Sequence, residues 1–124
     1  YLSRSISFRG QTHSMVGVLP CDIEMLSRPM GHGYVILEHT GKGPWFPAET
    51  EVRAHEFHHS RVANLGKTDF AYRMARGQGI DGEHDGILYK NVLASYAHLH
   101  HAGAPEWADR FVSFVREVNF RISR

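Results

Sequence analysis

Residues 50–60 read TEVRAHEFHHS, and their alternation limits what this chain can fold into more than any other stretch. On an extended backbone Val52, Ala54, Glu56 and His58 fall on one side, and Arg53, His55, Phe57 and His59 on the other. A two-residue period is that of a β-strand, here with neither face cleanly apolar. The preceding GKGPWFPAE places two prolines and two glycines in nine residues and cannot hold a regular element. The expectation is a mainly β middle.

The flanking segments give a mixed α/β pattern. YLSRSI at the start is short and fits the last turns of a helix. MVGVL and YVILEH read as short strands, separated by the turn-rich SRPMGHG. TDFAYRMAR is a further strand with Phe70, Tyr72 and Met74 on one face. GQGIDGEHDG holds four glycines and reads as a turn, and ILYKNVLASYAHLHH as a turn followed by a buried strand. AGAPEWADRFVSFVREVNF is the clearest helix, beginning at about residue 105. Pro105 sits where a first-turn proline is tolerated, and Trp107, Phe111, Phe114, Val115 and Val118 make one apolar stripe, expected to be core. There is no internal repeat and no low-complexity segment.

Composition excludes several classes. With 42% hydrophobic and 22% charged residues the chain can bury a core, which argues against disorder. A net charge of +1 with dispersed basic residues gives no sign of nucleic acid. One cysteine excludes a disulfide scaffold and fits a reducing compartment, so a cytoplasmic location is expected. The apolar runs are far short of the roughly 20 residues that span a bilayer, so no membrane is expected, and the start carries no signal-peptide pattern. The chain opens on YLSRSI without an initiator methionine, which reads as a cut end of a longer polypeptide.

Ten histidines raise the question of a metal. His55-Glu56-Phe57-His58-His59 satisfies H-E-x-x-H literally, but that motif works on a helix, where its two histidines share a face with the glutamate in reach. On a strand, residues four apart are separated by about 13 Å, too far for one zinc. A four-histidine site from His55, His59, His98 and His100 is conceivable, and a non-catalytic histidine-rich module holding Zn²⁺ or Ni²⁺ is the competing functional class. The spacing suits a half-buried strand better, and no tightly bound metal is expected.

Several separated motifs in one order are more specific. Gly31-His32-Gly33-Tyr34, Gly43-Pro44-Trp45-Phe46-Pro47, His55 to Ser60, and Asn91 to His100 follow one another. Together they resemble the C-terminal glutaminase domain of the cobyrinate a,c-diamide synthase family, over residues 1 to about 101. That family shows G-x-G-Y, a proline-aromatic loop, G-H-E-F-H-Y-S and N-x-x-A-S-Y-x-H-x-H. The resemblance implies a flavodoxin-like class I glutamine amidotransferase domain, with residues 1–124 as its C-terminal part.

It also implies a mechanism. A cysteine on a sharp strand-to-helix turn attacks the glutamine carboxamide, and a histidine takes the thiol proton and returns it to the leaving ammonia. The family's cysteine lies in a segment resembling A-E-C-G-G-L-M-Y-L, whose final Y-L matches Tyr1-Leu2, so the nucleophile is expected just upstream of this chain. Cys21, in VLPCDIEM, lacks the small neighbours a nucleophile elbow needs and reads as core or loop filler. The sister cobyrate synthase pattern G-Y-E-I-H-M-G keeps a histidine only over His58. His58 is therefore the expected general base, His55 the runner-up and His59 a distant third. Ser60 stands where other class I enzymes place an orienting glutamate. Glu56 shares the face of His58 and is a candidate support, equally read as a plain hydrogen-bonded carboxylate. Tyr96, His98 and His100 are expected on one strand face, near the active site or the synthetase half.

The implied partners are glutamine, an N-terminal synthetase domain in the same polypeptide, and a tetrapyrrole whose a and c acetate side chains are amidated. A siroheme-amidating relative fits the same residues, and a homodimer is admitted. ATP and Mg²⁺ are expected on the upstream synthetase half, since the sequence holds no phosphate-binding G-x-x-x-x-G-K-[ST].

Overall fold

The computed structural model describes residues 1–123. Its elements are β1 (Ser5–Phe8), β2 (Gln11–Ser14), β3 (Asp22–Met25), β4 (Gly31–His39), β5 (Glu51–His58), β6 (Ser60–Ala63), β7 (Asp69–Arg76), β8 (His84–Tyr89), β9 (Val92–Ala94), β10 (Ala97–Leu99) and α1 (Trp107–Ile122). The strands form a four-stranded sheet in the order β2-β1-β3-β6 and a six-stranded sheet in the order β10-β5-β4-β7-β8-β9. Only β1 and β3 pair in parallel among the described residues.

The six-stranded sheet is built around β4 and β5, which pair antiparallel from Gly31↔His58 to Glu38↔Glu51. Burial along β5 alternates strictly: Val52, Ala54, Glu56 and His58 are buried, and Glu51, Arg53, His55 and Phe57 are exposed. The period read from the sequence is thus the period of the strand. Val35, Leu37, Val52, Ala54, Ala71 and Tyr72 form the main apolar cluster on the inner face. A second cluster of Leu19, Cys21, Ile80 and Ile87 fills the space beside the smaller sheet, with Val62, Phe70 and Tyr96 against it. The proline-glycine segment is a loop as expected, running irregularly from Thr40 to Thr50.

Four local readings are corrected. YLSRSI is not a helix end: Ser5–Phe8 is β1, closed onto β2 by a turn with Arg9 at φ 50 and Gly10 at φ 76. Two successive positive φ angles are what a tight two-residue hairpin requires. MVGVL is not a strand. Gly17 at φ 75 breaks its extended run, and Met15, Val16, Gly17 and Leu19 donate instead to the carbonyls of Arg4, Tyr1, Ser3 and Leu2. GQGIDGEHDG is a turn only to Glu83, because Asp81 Oδ1 accepts the Glu83 and His84 N–H groups and launches β8 from within the segment. ILYKNVLASYAHLHH is not one buried strand but the end of β8, then β9 and β10, with β10 crossing to the far edge beside β5.

Helix α1 forms where expected, with Pro105 just ahead of it, but only Trp107 of its stripe packs against the core cluster. It buries no residue fully, and Phe111 and Val115 are each 42% exposed. Trp107 at its start packs against the main apolar cluster, and Phe111 meets Trp45 of the proline-aromatic loop edge-on. It is too short and too polar to cross a membrane.

Burial therefore sets a contrast in stability. Leu37→Ala, at a fully buried site, should cost about 2–5 kcal/mol, and Val115→Ser should stay within about 0.5 kcal/mol. Urea titrations of the two variants check this, and equal losses would contradict the exposed helix face.

Candidate active site

His58 closes β5 on its buried side, at 8% exposure. Its Nδ1 lies 2.8 Å from the Ser60 carbonyl oxygen. A carbonyl can only accept, so this bond places the proton on Nδ1 and leaves the lone pair of the neutral ring on Nε2. Nε2 is buried and has no hydrogen-bond partner among the described residues. It sits 3.5 Å from Glu56 Oε2, beyond a good hydrogen bond.

Glu56 is itself fixed. It is 2% exposed, and its two oxygens accept the backbone N–H groups of Gln78, at 2.7 Å, and Gly79, at 3.0 Å. Those two donors offset the cost of burying the carboxylate and tie β5 to the 77–83 turn. Glu56 is thus a hydrogen-bonded carboxylate that also lies beside the imidazole. Gly31 closes the site from β4: a Cβ there would overlap His58 Nε2 and lie 2.7 Å from Glu56 Cδ.

Tyr96 holds the other side of the imidazole. Its ring stacks on His58 with centroids 3.7 Å apart and planes 8° from parallel, and its hydroxyl is 2.9 Å from Ser60 Oγ. Ser60 thus contributes twice, by its carbonyl to Nδ1 and by its hydroxyl to Tyr96. Tyr96 is placed by Asp85, a fully buried carboxylate that accepts from the backbone N–H groups of Gly86, Tyr96 and Ala97 and from the Ser95 hydroxyl. Burial pushes the Asp85 carboxyl above its ordinary range, opposed by those four bonds.

The other sequence candidates lie elsewhere. His55 is on the exposed face of β5, opposite His58. His59 follows the end of β5, half-buried and edge-on to Phe57. The literal H-E-x-x-H therefore runs through a strand and out of it, with its histidines unable to meet as on a helix. No group of three or more His, Cys, Asp or Glu side chains among the described residues is arranged to hold a metal ion. Tyr96 does not share a strand face with His98 and His100: it precedes β10 and turns inward, because Asp85 captures its backbone. Cys21 is 1% exposed in the second apolar cluster, where burial pushes its thiol up, away from an activated thiolate. Asp85 was hidden in a glycine-rich turn motif. The one available signal was an acidic residue directly before an apolar run.

Residues 1–106 match the CobB/CobQ-like glutamine amidotransferase domain. The chain belongs to this family, a class I glutamine amidotransferase domain of the flavodoxin-like type. It is 48% identical over 117 residues to cobyrinate a,c-diamide synthase of Magnetococcus marinus, covering 94% of this chain and 25% of that protein. It is 38% identical over 112 residues to the enzyme of the same name from Archaeoglobus fulgidus, covering 90% and 24%. For that of Methanothermobacter thermautotrophicus the figures are 41% over 111 residues, 90% and 24%. The chain spans about a quarter of the length of these curated relatives.

Crowding at Gly31 gives a direct check of the site. Gly31→Ala forces His58 or Glu56 to move, so it should destabilise the fold by about 1–3 kcal/mol. Thermal or urea unfolding at wild-type values would contradict the packing of Nε2 beneath β4.

Proposed function

We propose that this chain is the histidine-bearing part of a glutaminase that feeds ammonia to the amidation of tetrapyrrole carboxylates, the a and c side chains of cobyrinate. The observation that carries the reading is the imidazole of His58, protonated at Nδ1 by its bond to Ser60 and left with an unpartnered, buried Nε2 beside Glu56. That is the state a general base needs before it acts. The names of the relatives support the choice of substrate.

In this reading a cysteine from residues outside these 124 gives its thiol proton to His58 Nε2. The thiolate attacks the glutamine carboxamide carbon, and the C–N bond breaks as His58 returns the proton to the departing ammonia. Water then hydrolyses the thioester to glutamate and frees the thiol. Glu56, 3.5 Å from Nε2, stabilises the imidazolium formed between the two proton transfers. The Ser60 carbonyl and the Tyr96 ring keep the imidazole in place, the task an orienting carboxylate has in other class I enzymes. ATP and Mg²⁺ belong to a synthetase half outside these residues, where they supply the activation of the acceptor carboxylate.

The test uses the whole polypeptide. His58→Ala should reduce glutamine-dependent amidation by about 10²-fold or more, the range for loss of a general base. Amidation driven by ammonium salt should persist, because free ammonia bypasses the glutaminase step. His59→Ala should be much milder, and Cys21→Ser should leave glutamine use nearly intact. Loss of glutamine use in Cys21→Ser, with ammonia use retained, would show that the nucleophile lies within these residues and overturn the assignment.

A further inference from the structure

The six-stranded sheet begins with β10 and ends with β9, and these two edge strands wall one cleft. Leu93 of β9 lines it from one edge and Leu99 of β10 from the other, with Tyr72 of β7 between them in the sheet order. Trp45 of the proline-aromatic loop and Trp107 at the start of α1 complete its aromatic wall. The cleft holds about 310 Å³. Leu93, Leu99, Trp45 and Trp107 are partly buried against the main apolar cluster, so the lining is mainly apolar.

Two polar groups interrupt it. Among the described residues, four buried side-chain polar atoms have no hydrogen-bond partner. One is His58 Nε2, and two belong to walls of this cleft, the Trp45 indole nitrogen and the Tyr72 hydroxyl. The fourth, His39 Nε2, is on a ring edge-on to Tyr72. An indole N–H can only donate, and a buried donor without an acceptor is costly. Tyr72 is 1% exposed, and burial first, then the Asp85 carboxylate, push its hydroxyl well above its ordinary range. It therefore stays protonated, a second donor. Packing accounts for the burial of both rings but supplies neither donor with an acceptor.

Asp85 also bears on the charge of an occupant. It accepts from the Ser95 hydroxyl and the Ala97 N–H, and both residues wall the cleft. An anion there would come close to a buried carboxylate in apolar surroundings, a penalty that a neutral molecule escapes.

We propose that this cleft binds a small neutral molecule with a planar apolar body and one carbonyl-type acceptor, which takes the Trp45 N–H and the Tyr72 O–H. Two indoles favour a flat ring. The volume lies near the lower end of small-molecule clefts, about 300–1,000 Å³, and so suits one or two fused rings. The site does not rest on the glutaminase reading, since His58 is not among its walls. It is close to the imidazole all the same, because Tyr96, between Ser95 and Ala97, stacks on His58.

The probe is benzamide, titrated into the whole polypeptide labelled with ¹⁵N at tryptophan. Ethylbenzene, which has no acceptor, and benzoate, which is anionic, are the comparison ligands. The Trp45 indole resonance is identified by its loss in Trp45→Phe. Benzamide should shift that resonance saturably, and benzoate should bind roughly tenfold more weakly or worse. Tyr72→Phe should weaken benzamide about fivefold, the loss of one hydrogen bond, and leave ethylbenzene unchanged. It should not lower the unfolding temperature of the free protein, because the hydroxyl removed has no partner. Absence of a saturable shift would overturn the proposal, as would unchanged benzamide affinity in Tyr72→Phe. So would benzoate binding as tightly as benzamide. A lower unfolding temperature in Tyr72→Phe would also overturn it, by showing the hydroxyl already bonded to a buried water or to another part of the polypeptide.

Discussion

The register of β5 against β4 is the constraint on which the rest of the structure depends. Eight consecutive residue pairs hold it, from Gly31↔His58 to Glu38↔Glu51. Because side chains alternate, a slip of one residue would send Val52 and Ala54 to solvent and bring Arg53 and His55 inside. The apolar half of the strand therefore fixes the polar half: once Val52 and Ala54 are in the core, Glu56 and His58 are carried inward with them. Their burial is tolerated because Glu56 takes two backbone N–H groups and His58 takes a backbone carbonyl.

Two buried carboxylates organise the site from opposite sides. Glu56 anchors the 77–83 turn and reaches the imidazole at Nε2. Asp85 gathers the chain at 95–97 and so presents the ring of Tyr96 to the imidazole face. Neither function depends on a surface ion pair, and each links segments that are distant in sequence. His58 is accordingly held by a carbonyl, a stacked ring and a nearby carboxylate, with Ser60 joining the first two.

Much of the fold was legible where the signal was local. The strand period of 51–58, the proline-glycine loop and the helix from 107 all follow from spacing and composition within a few residues. What failed depended on distant partners. MVGVL is apolar enough for a strand, but Gly17 and the carbonyls of residues 1–4 turn it into an irregular strap. The helix stripe has core spacing, yet only Trp107 reaches the core cluster, and Phe111 and Val115 stay exposed. In the candidate site, the pairing of Glu56 with His58 was visible because both lie on one strand. Tyr96 turned inward and Asp85 became an anchor through contacts 11 and 12 residues long, which no local period encodes.

The tautomer of His58 tests the account most directly. With the whole polypeptide labelled with ¹⁵N at histidine, ring nitrogen shifts and their couplings to ring protons identify which nitrogen is protonated. The account predicts that neutral His58 carries its proton on Nδ1, bonded to the Ser60 carbonyl, with Nε2 bare. A proton on Nε2 in the neutral ring would leave the Ser60 carbonyl without its donor and the base without its lone pair, and would contradict it.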